Sequence, residues 1–283
     1  MSVAVSASGR SLGRRGGIGP RLARELVKVS AFFLRNWRMT HRNVFTIFEI
    51  VFWPVVSLLS VGLMTTFLEA RPETVVFVLV GTFALSTVQV CQLDVAYAVL
   101  FDMWSKSVKH QFVAPVRPWH LALGAWLMGL VRGAAVFALL AVVSRWVFGV
   151  SFVEHGAGPP LALLGGLLVS AAGVGLLVST LLLLFGLRAE VSAWSGVSLV
   201  LLLCGVYYPV SVLPPVLRAV AACVPLTYFL EAFRAHYGFA PVFAAPLTRG
   251  YVLALAYALG GYALFAWAIA RARRTGMLLK LSD

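Results

Sequence analysis

Residues 161–185 read LALLGGLLVSAAGVGLLVSTLLLLF, an apolar run without a single charged side chain. About 20 apolar residues are needed to cross the hydrocarbon core of a bilayer as a helix, so this stretch alone predicts a membrane span. Five other apolar runs approach or exceed this length. The six predicted spans are 44–67, 75–101, 119–143, 161–185, 191–210 and 251–270.

The composition of the whole chain agrees with this prediction. Of 283 residues, 61% are hydrophobic and 12% are charged, and the mean hydropathy is +0.93. A soluble domain carries roughly 45–50% apolar and about 25% charged residues. These values exclude an ordinary soluble enzyme, a disordered chain and a coiled coil. The sequence therefore predicts an all-α, polytopic membrane protein with six transmembrane helices.

The distribution of basic residues predicts how these spans are oriented. The net charge is +13, which in a soluble protein would suggest nucleic acid as a partner. Here, 17 Lys and Arg fall on the side of the membrane that holds both termini, and five fall on the other side. Cytoplasmic loops collect Lys and Arg. We therefore expect both termini in the cytoplasm, a location in the plasma (cell inner) membrane and no nucleic-acid partner.

The chain on either side of the spans divides into three regions. Residues 1–18 are rich in Ser, Gly and Arg, which is typical of disorder. In the next region, Leu22, Leu26, Val29, Phe33 and Trp37 recur at helical spacing, with basic residues opposite them. This pattern predicts an amphipathic helix in the membrane interface, although a simple cytosolic lead-in is an alternative. The predicted organisation is a disordered basic tail over 1–18, the interfacial helix over 19–43, the six-span domain over 44–272 and a cytoplasmic tail over 273–283.

Three charged residues fall inside predicted spans. They are Glu49 in the first span, Asp94 in the second and Arg132 in the third. A charge at the centre of a membrane helix costs about 2.5–3.5 kcal/mol on insertion scales. We therefore expect Arg132 to pair with Asp94 or Glu49. Both a packing role and a role in substrate binding or gating remain open for this pair.

The cytoplasmic loop between the second and third spans predicts a short amphipathic helix over 102–113. Apolar side chains recur there every four residues, and the Ala114–Pro115–Val116–Arg117–Pro118 stretch ends the helix because residues before proline disfavour helix. Such a helix, joined directly to two spans, would act as a lever for a cytosolic partner. The residues assigned to this contact are Asp102, Trp104, Lys106, Val108, Lys109, Phe112 and Pro115.

A second irregular segment, GVYYPVSVLPPVLRAVAACVPLTYFLEAFR over 205–234, lies on the predicted outer side. It is too apolar for an exposed loop, and its prolines cut it into pieces too short to span. Such pieces predict re-entrant half-helices before the last span. A lid or exit gate fits this segment, and a simple outer cap against lipid is the alternative. The candidate gate residues are Tyr207, Tyr208, Pro209, Pro214, Pro215, Pro225, Tyr228, Glu231 and Arg234.

Together these features resemble the membrane domain of ABC type-2 permeases, over roughly residues 24–272. The outer segment matches the family's pattern at Gly205, Tyr207, Tyr208, Pro209, Leu213, Pro214, Pro215, Pro225, Leu226, Thr227, Tyr228, Glu231 and Arg234. The loop Ala114–Pro115–Val116 followed by Leu123–Gly124 matches a cytoplasmic motif. One departure is that residues 104–110 are basic where many members carry an acidic stretch. We therefore expect a more acidic partner surface.

The resemblance implies one half of an exporter. It implies a homodimer, or a heterodimer with a related permease, coupled to cytosolic ABC ATPase subunits that hold ATP and Mg²⁺. Independently, a P-loop needs Gly-Lys followed by Ser or Thr. The chain has four lysines, Lys28, Lys106, Lys109 and Lys280, and none follows a glycine. We therefore expect a transport subunit with no catalytic residues, no metal and no cofactor of its own.

Two other classes of function stay open at this stage. A gradient-driven secondary transporter would use Glu49 and Asp94 to carry protons or ions, although no inverted repeat is visible. An integral-membrane enzyme would need a catalytic or metal-binding motif, and the five histidines are scattered. The apolar spans slightly favour a hydrophobic or amphipathic cargo.

Overall fold

The structure, a computed structural model, describes residues 18–42, 44–106, 116–154 and 156–275. All regular structure in these ranges is helical, which confirms the predicted fold class. Short 3₁₀ turns lie at Gly186–Ala189, Val210–Val212 and Ala235–Tyr237. The α-helices are α1 Ile18–His41, α2 Val44–Phe67, α3 Pro72–Trp104, α4 Pro118–Phe148, α5 Gly158–Phe185, α6 Val191–Leu203, α7 Pro215–Ala221, α8 Pro225–Arg234 and α9 Pro246–Arg274.

Within the described ranges, five helices are long and apolar enough to cross a membrane, namely α2, α3, α4, α5 and α9. The pair α7 and α8, with the turn that follows, forms a bent unit with an angle of 92°. It has the geometry of a broken span or a re-entrant loop, and counting it as one span gives six crossings. The chain is therefore polytopic by the length and composition of its helices.

The fifth predicted span, 191–210, is shorter in the structure. Helix α6 has 13 residues, and at 1.5 Å per residue it rises about 20 Å, less than the roughly 30 Å of a bilayer core. Gly205 follows with a φ of +66°, a left-handed conformation that glycine adopts without strain. The helix therefore ends at Leu203 although the apolar sequence continues.

Helix α3 forms the centre of the bundle and is buried along most of its length, packed against α2, α4 and α5. Lipid gives helices no hydrophobic drive to associate, so close approach depends on small residues. A Cβ on Gly129 of α4 would press on Cys91 of α3, and a Cβ on Gly133 of α4 would press on Leu168 of α5. Gly175 of α5 lies equally close to Val95. These glycines let three helices share one interior.

Helix α1 packs mainly against α4, with Val29 and Phe32 buried over Gly124. The predicted apolar stripe of α1 is divided between two environments. Val29 faces the protein, whereas Leu22 and Leu26 are exposed. An apolar stripe on a helix does not by itself distinguish lipid from protein, which is why the sequence did not separate these two faces.

Candidate functional site

The cytoplasmic ends of α3 and α4, as predicted from the charge distribution, are both fastened to α1. At the end of α3, the Arg35 guanidinium donates to the two carboxylate oxygens of Asp102 at 3.0 and 3.1 Å. It also donates to the carbonyl oxygen of Ala98 at 3.2 Å. Asp102 is nearly buried, and charge-assisted bonds of this kind are roughly twice as strong as neutral ones. Arg35 therefore fixes α1 to the last turns of α3.

At the start of α4, His120 binds α1 through Glu25. The His120 ring is fully buried. Its Nδ1 accepts a hydrogen bond from the backbone N–H of Arg117 at 2.9 Å. The ring proton is therefore on Nε2, which donates to Glu25 Oε2 at 2.6 Å. A neutral histidine thus caps the first turn of α4 and holds α1 at the same time.

The carboxylate of Glu25 receives two donors, Lys28 at 2.9 Å and His120. The hydrogen bond from Lys28, followed by that from His120, lowers the pKa of Glu25 below its ordinary value. Hydrogen bonds to the charged form of a carboxyl favour that form. Glu25 therefore stays ionised at neutral pH. We refer to Glu25, Arg35, Asp102 and His120 together as the α1 bracket.

The α1 bracket holds the chain on both sides of the predicted partner-binding loop. Asp102 and Trp104 belong to α3, which runs to Trp104 rather than ending at 101. The separate helix predicted to begin at 102 is therefore wrong at its start. The chain leaves α3 at Lys106, whose φ of +54° is left-handed. Val108, Lys109, Phe112 and Pro115 lie outside the described residues, so their predicted helix and role remain predictions.

The expected ion pair inside the membrane forms between Arg132 of α4 and Asp94 of α3. Asp94 is 6% exposed, and its Oδ2 has no hydrogen-bond partner among the described residues. The same holds for Nε and Nη2 of Arg132. The side chain of Glu49, the other expected partner, lies outside the described residues. The pair lines a cavity of about 270 Å³ between α2, α3, α4 and α6.

In the outer segment, Arg234 at the end of α8 is the main anchor. It is 3% exposed and donates to the carbonyl oxygens of Gly205 at 2.7 Å, Val206 at 2.7 Å and Phe77 at 2.9 Å. Its guanidinium carbon also lies 3.5 Å from the centre of the Phe77 ring. A cation buried this deeply needs partners, and Arg234 obtains them from α3 and from the turn after α6.

The other predicted gate residues form joints within the same segment. Pro215 and Pro225 open α7 and α8 at their first turns, where the missing N–H costs nothing. The Tyr228 hydroxyl donates to the Ala222 carbonyl oxygen at 2.7 Å, and Glu231 accepts from the backbone N–H of Phe243 at 3.1 Å. Four candidates remain. Tyr207 is half-buried against the core, and the Tyr208 hydroxyl donates to the Leu202 carbonyl oxygen. Pro209 precedes the 3₁₀ turn Val210–Val212, and Pro214 precedes α7.

Three functional candidates were missed at the sequence level. Glu25, Arg35 and His120 are separated by up to 95 residues from each other, and Arg35 is one of the basic residues opposite the predicted apolar stripe of α1. One feature of the sequence could have indicated the Arg35–Asp102 contact. Asp102 lies on the same helix as Asp94, eight residues later, and a buried carboxylate needs a cation as its partner. As for metals, the described parts of the chain contain no group of three His, Cys, Asp or Glu side chains able to hold an ion.

Comparison with known proteins identifies the family. A 54-residue stretch is 46% identical to a protein of Archaeoglobus fulgidus that is described only as uncharacterized, and it covers 19% of this chain and 84% of that protein. The family model described as the ABC-2 type transporter matches residues 28–237, about three quarters of the chain. The matched range includes the Asp94–Arg132 pair, the Arg234 anchor and three members of the α1 bracket, Arg35, Asp102 and His120, and Glu25 lies three residues before it. The chain therefore belongs to the ABC-2 type transporter family and is a permease subunit of an ABC transporter.

Proposed function

We propose that this permease works as one half of an ATP-driven exporter and that its ATPase is a separate cytosolic subunit that docks on residues 105–117. The observation that carries the proposal is the α1 bracket. Because Arg35 holds one end of this loop and Glu25 the other, a force applied to the loop is passed to α1, α3 and α4 together. A loop without such fastening would absorb the force by bending.

The motor would supply the ATP chemistry. The 283 residues contain no Gly-Lys followed by Ser or Thr, the sequence that cradles nucleotide phosphates. ATP and Mg²⁺ would therefore bind the partner, with no cofactor in this chain. Lys106 and Lys109 make the loop basic, so the matching surface of the partner would be acidic. The side of the loop, and of both termini, would be cytoplasmic by the positive-inside rule.

In this mechanism, two permease subunits enclose the path. Helix α2 exposes large apolar side chains, among them Leu63 and Phe67, which are 58% and 85% exposed. Facing a second copy of the chain would cover part of this surface. ATP-driven closure of the motor would then move α3 and open the dimer outward. A hydrophobic or amphipathic cargo would leave past α7 and α8, whose 92° bend provides a joint.

One specific observation supports a second candidate function. Asp94 is a buried carboxyl within a helix long and apolar enough to cross a membrane, and its Oδ2 has no partner among the described residues. Intramembrane carboxyls often carry protons. A secondary transporter would use Asp94, with Glu49 as a further candidate. Proton flux into vesicles containing the purified chain alone would test this. Flux that disappears in Asp94→Asn would favour the secondary transporter over the ATP-driven exporter.

The main proposal is tested by purifying the tagged chain from its native membrane in mild detergent. We expect a co-purifying P-loop ATPase in a stoichiometric amount, with measurable ATP hydrolysis. Lys106→Glu with Lys109→Glu should release it, because both charges would face an acidic partner. The matched control is Arg145→Glu, which reverses an exposed charge at the opposite end of α4. A monodisperse permease that brings no ATPase would refute the proposal.

A second measurement separates docking from coupling. In Arg35→Gln with Asp102→Asn, the loop surface is intact but one end of the bracket is released. We expect the ATPase to remain bound while its hydrolysis no longer responds to reconstitution of the permease into lipid. Unchanged coupling in this double variant would show that the bracket does not transmit force.

A further inference from the structure

The cavity between α2, α3, α4 and α6 has the features of a binding site. Its volume of about 270 Å³ is just below the roughly 300–1,000 Å³ of small-molecule pockets. It therefore suits a head group or a small ring rather than a whole amphiphile. Trp53 and Trp194 line it and are 63% and 43% exposed. An occupant can thus place its head inside and leave its tail in the surrounding lipid.

The charge of the cavity selects against ions. Asp94 and Arg132 are the charged side chains in the described lining of the cavity. They form an ion pair, so their two charges cancel. A ligand with a net charge would place an uncompensated charge in a region of low dielectric, which is costly. The cavity therefore favours an uncharged head group.

The unpaired atoms define the hydrogen bonds that such a head group must make. Among the described residues, Asp94 Oδ2 has no donor, and Arg132 Nε and Nη2 have no acceptor. Buried polar atoms nearly always have partners. A hydroxyl group both donates and accepts, so a head with two or more hydroxyls satisfies the carboxylate and the guanidinium together. Ser86 and Gln89 also line the cavity and add further polar atoms.

The aromatic side chains complete the site. Trp53, Tyr97 and Trp194 line the same cavity, and aromatic rings offer rigid apolar surface against which a glycerol backbone, a sugar ring or the start of an acyl chain packs. We propose that this cavity binds the uncharged, polyhydroxyl head of a single amphiphile, with the Asp94–Arg132 pair as its recognition element. As a statement about cargo, this inference rests on the proposed transport function, but binding itself requires no ATPase.

The test uses the purified full chain in lipid nanodiscs and three photoactivatable probes with the same acyl chain. One is a monoacylglycerol, one the corresponding fatty-acid anion and one the corresponding alkyl trimethylammonium cation. A diazirine close to the head allows the labelled peptides to be identified by mass spectrometry. We expect saturable labelling of the cavity segments of α3 and α6 by the monoacylglycerol, at least fivefold above either charged probe.

The decisive variant is Asp94→Asn with Arg132→Gln, which keeps size and neutrality but removes the ion pair. It should lose at least fivefold of the saturable labelling. The matched control, Glu73→Gln with Arg145→Gln, neutralises one exposed acidic and one exposed basic side chain outside the cavity and should label within twofold of the parent. Equal labelling by a charged probe, or unchanged labelling in the decisive variant, overturns the proposal.

Two further measurements keep the result interpretable. Protection of Cys91 and Cys204, both buried, from maleimide reports that each variant is folded. If the decisive variant unfolds, Ser86→Leu fills the cavity without touching the pair and should abolish saturable labelling. Selective labelling in a chain that recruits no ATPase would support the binding site and refute the proposed exporter. Recruitment of the ATPase together with unselective labelling would support the exporter and refute the proposed binding site.

Discussion

Replacing Arg234 by methionine should destabilise the protein more than any other single change at a charged residue of the outer segment. Arg234 is the donor for three backbone carbonyl oxygens, at Gly205, Val206 and Phe77. The fold around it is buried, so water cannot replace the lost donors. Leaving a buried acceptor unsatisfied costs about 1–3 kcal/mol, and the three carbonyls belong to two different parts of the chain.

The magnitude follows from these bonds. The Phe77 carbonyl oxygen lies within α3 and keeps its helical donor, so Gly205 and Val206 are left with unsatisfied carbonyls. Two such groups in the middle of that range give about 4 kcal/mol, and breaking a buried charged network typically costs about 3–5 kcal/mol. The loss of stability should stay below the sum of the two upper limits, because all these hydrogen bonds come from one side chain and their energies do not add. At about 2–4 °C per kcal/mol for a chain of this size, Tm should fall by roughly 6–20 °C. Arg234→Lys should give an intermediate loss, because an ammonium lacks the planar fork.

The cysteines supply the assay. Cys91 and Cys204 are buried and Cys223 is exposed, so a thiol-reactive dye in a Cys223→Ser background reports unfolding directly. The control is Arg145→Met, at an exposed site where substitutions usually stay within about 0.5 kcal/mol. If Arg234→Met melted within 2 °C of the parent and of this control, the assignment of Arg234 as the anchor would be refuted.

Three further predictions test the packing, the bracket and the topology. Gly81→Ala would place a Cβ on the Val206 carbonyl oxygen and should lower the free energy of unfolding by about 1–3 kcal/mol. In Gly260→Ala the new Cβ meets open space, so this variant should stabilise α9 by up to about 1 kcal/mol. The thiol-reactive dye assay measures both changes. The pKa of Glu25 is lowered from 4.5, so the stabilisation that Glu25 gives to α1 docking is complete above pH 4.5 and is lost as the pH falls through the lowered pKa. Hydrogen exchange of α1 should accelerate in that acidic range. The E25Q variant should abolish this pH dependence. A membrane-impermeant maleimide should label Cys223 in intact cells, and labelling found only in inverted vesicles would reverse the proposed orientation.

Elements whose causes are local could be predicted from the sequence. The run 161–185 lies within α5, because an apolar stretch of that length has few other stable states. The break into α7 and α8 follows from Pro215 and Pro225, which remove backbone donors and restrict the residues before them. The need of Arg132 for a partner followed from the cost of a charge in lipid, and Asp94 was one of two candidates named.

What the sequence did not predict depends on long-range contacts. Nothing local indicates that Arg35 reaches Asp102, 67 residues away, and an amphipathic helix offers the same pattern to lipid and to protein. The end of α6 at Leu203 was missed for a related reason. Hydropathy continues past it, and the turn depends on the left-handed Gly205, whose carbonyl oxygen then accepts from Arg234.

Helix α3 is the element that joins the candidate sites. Asp102 in the α1 bracket and Asp94 in the ion pair are eight residues apart, about 12 Å along one continuous helix at 1.5 Å per residue. Proline occurs in α3 only at its first residue, Pro72, so no internal proline kinks the helix between them. In the proposed mechanism, a force applied to the loop after Trp104 would therefore move the part of α3 that carries Asp94, and with it one side of the cavity. Because Arg132 belongs to α4, which His120 fastens to the same α1, both partners of the ion pair are tied to the same bracket. A displacement that changes the spacing of α3 and α4 at their cytoplasmic ends must consequently change the geometry of the ion pair, which is how nucleotide-driven motion would reach a bound amphiphile.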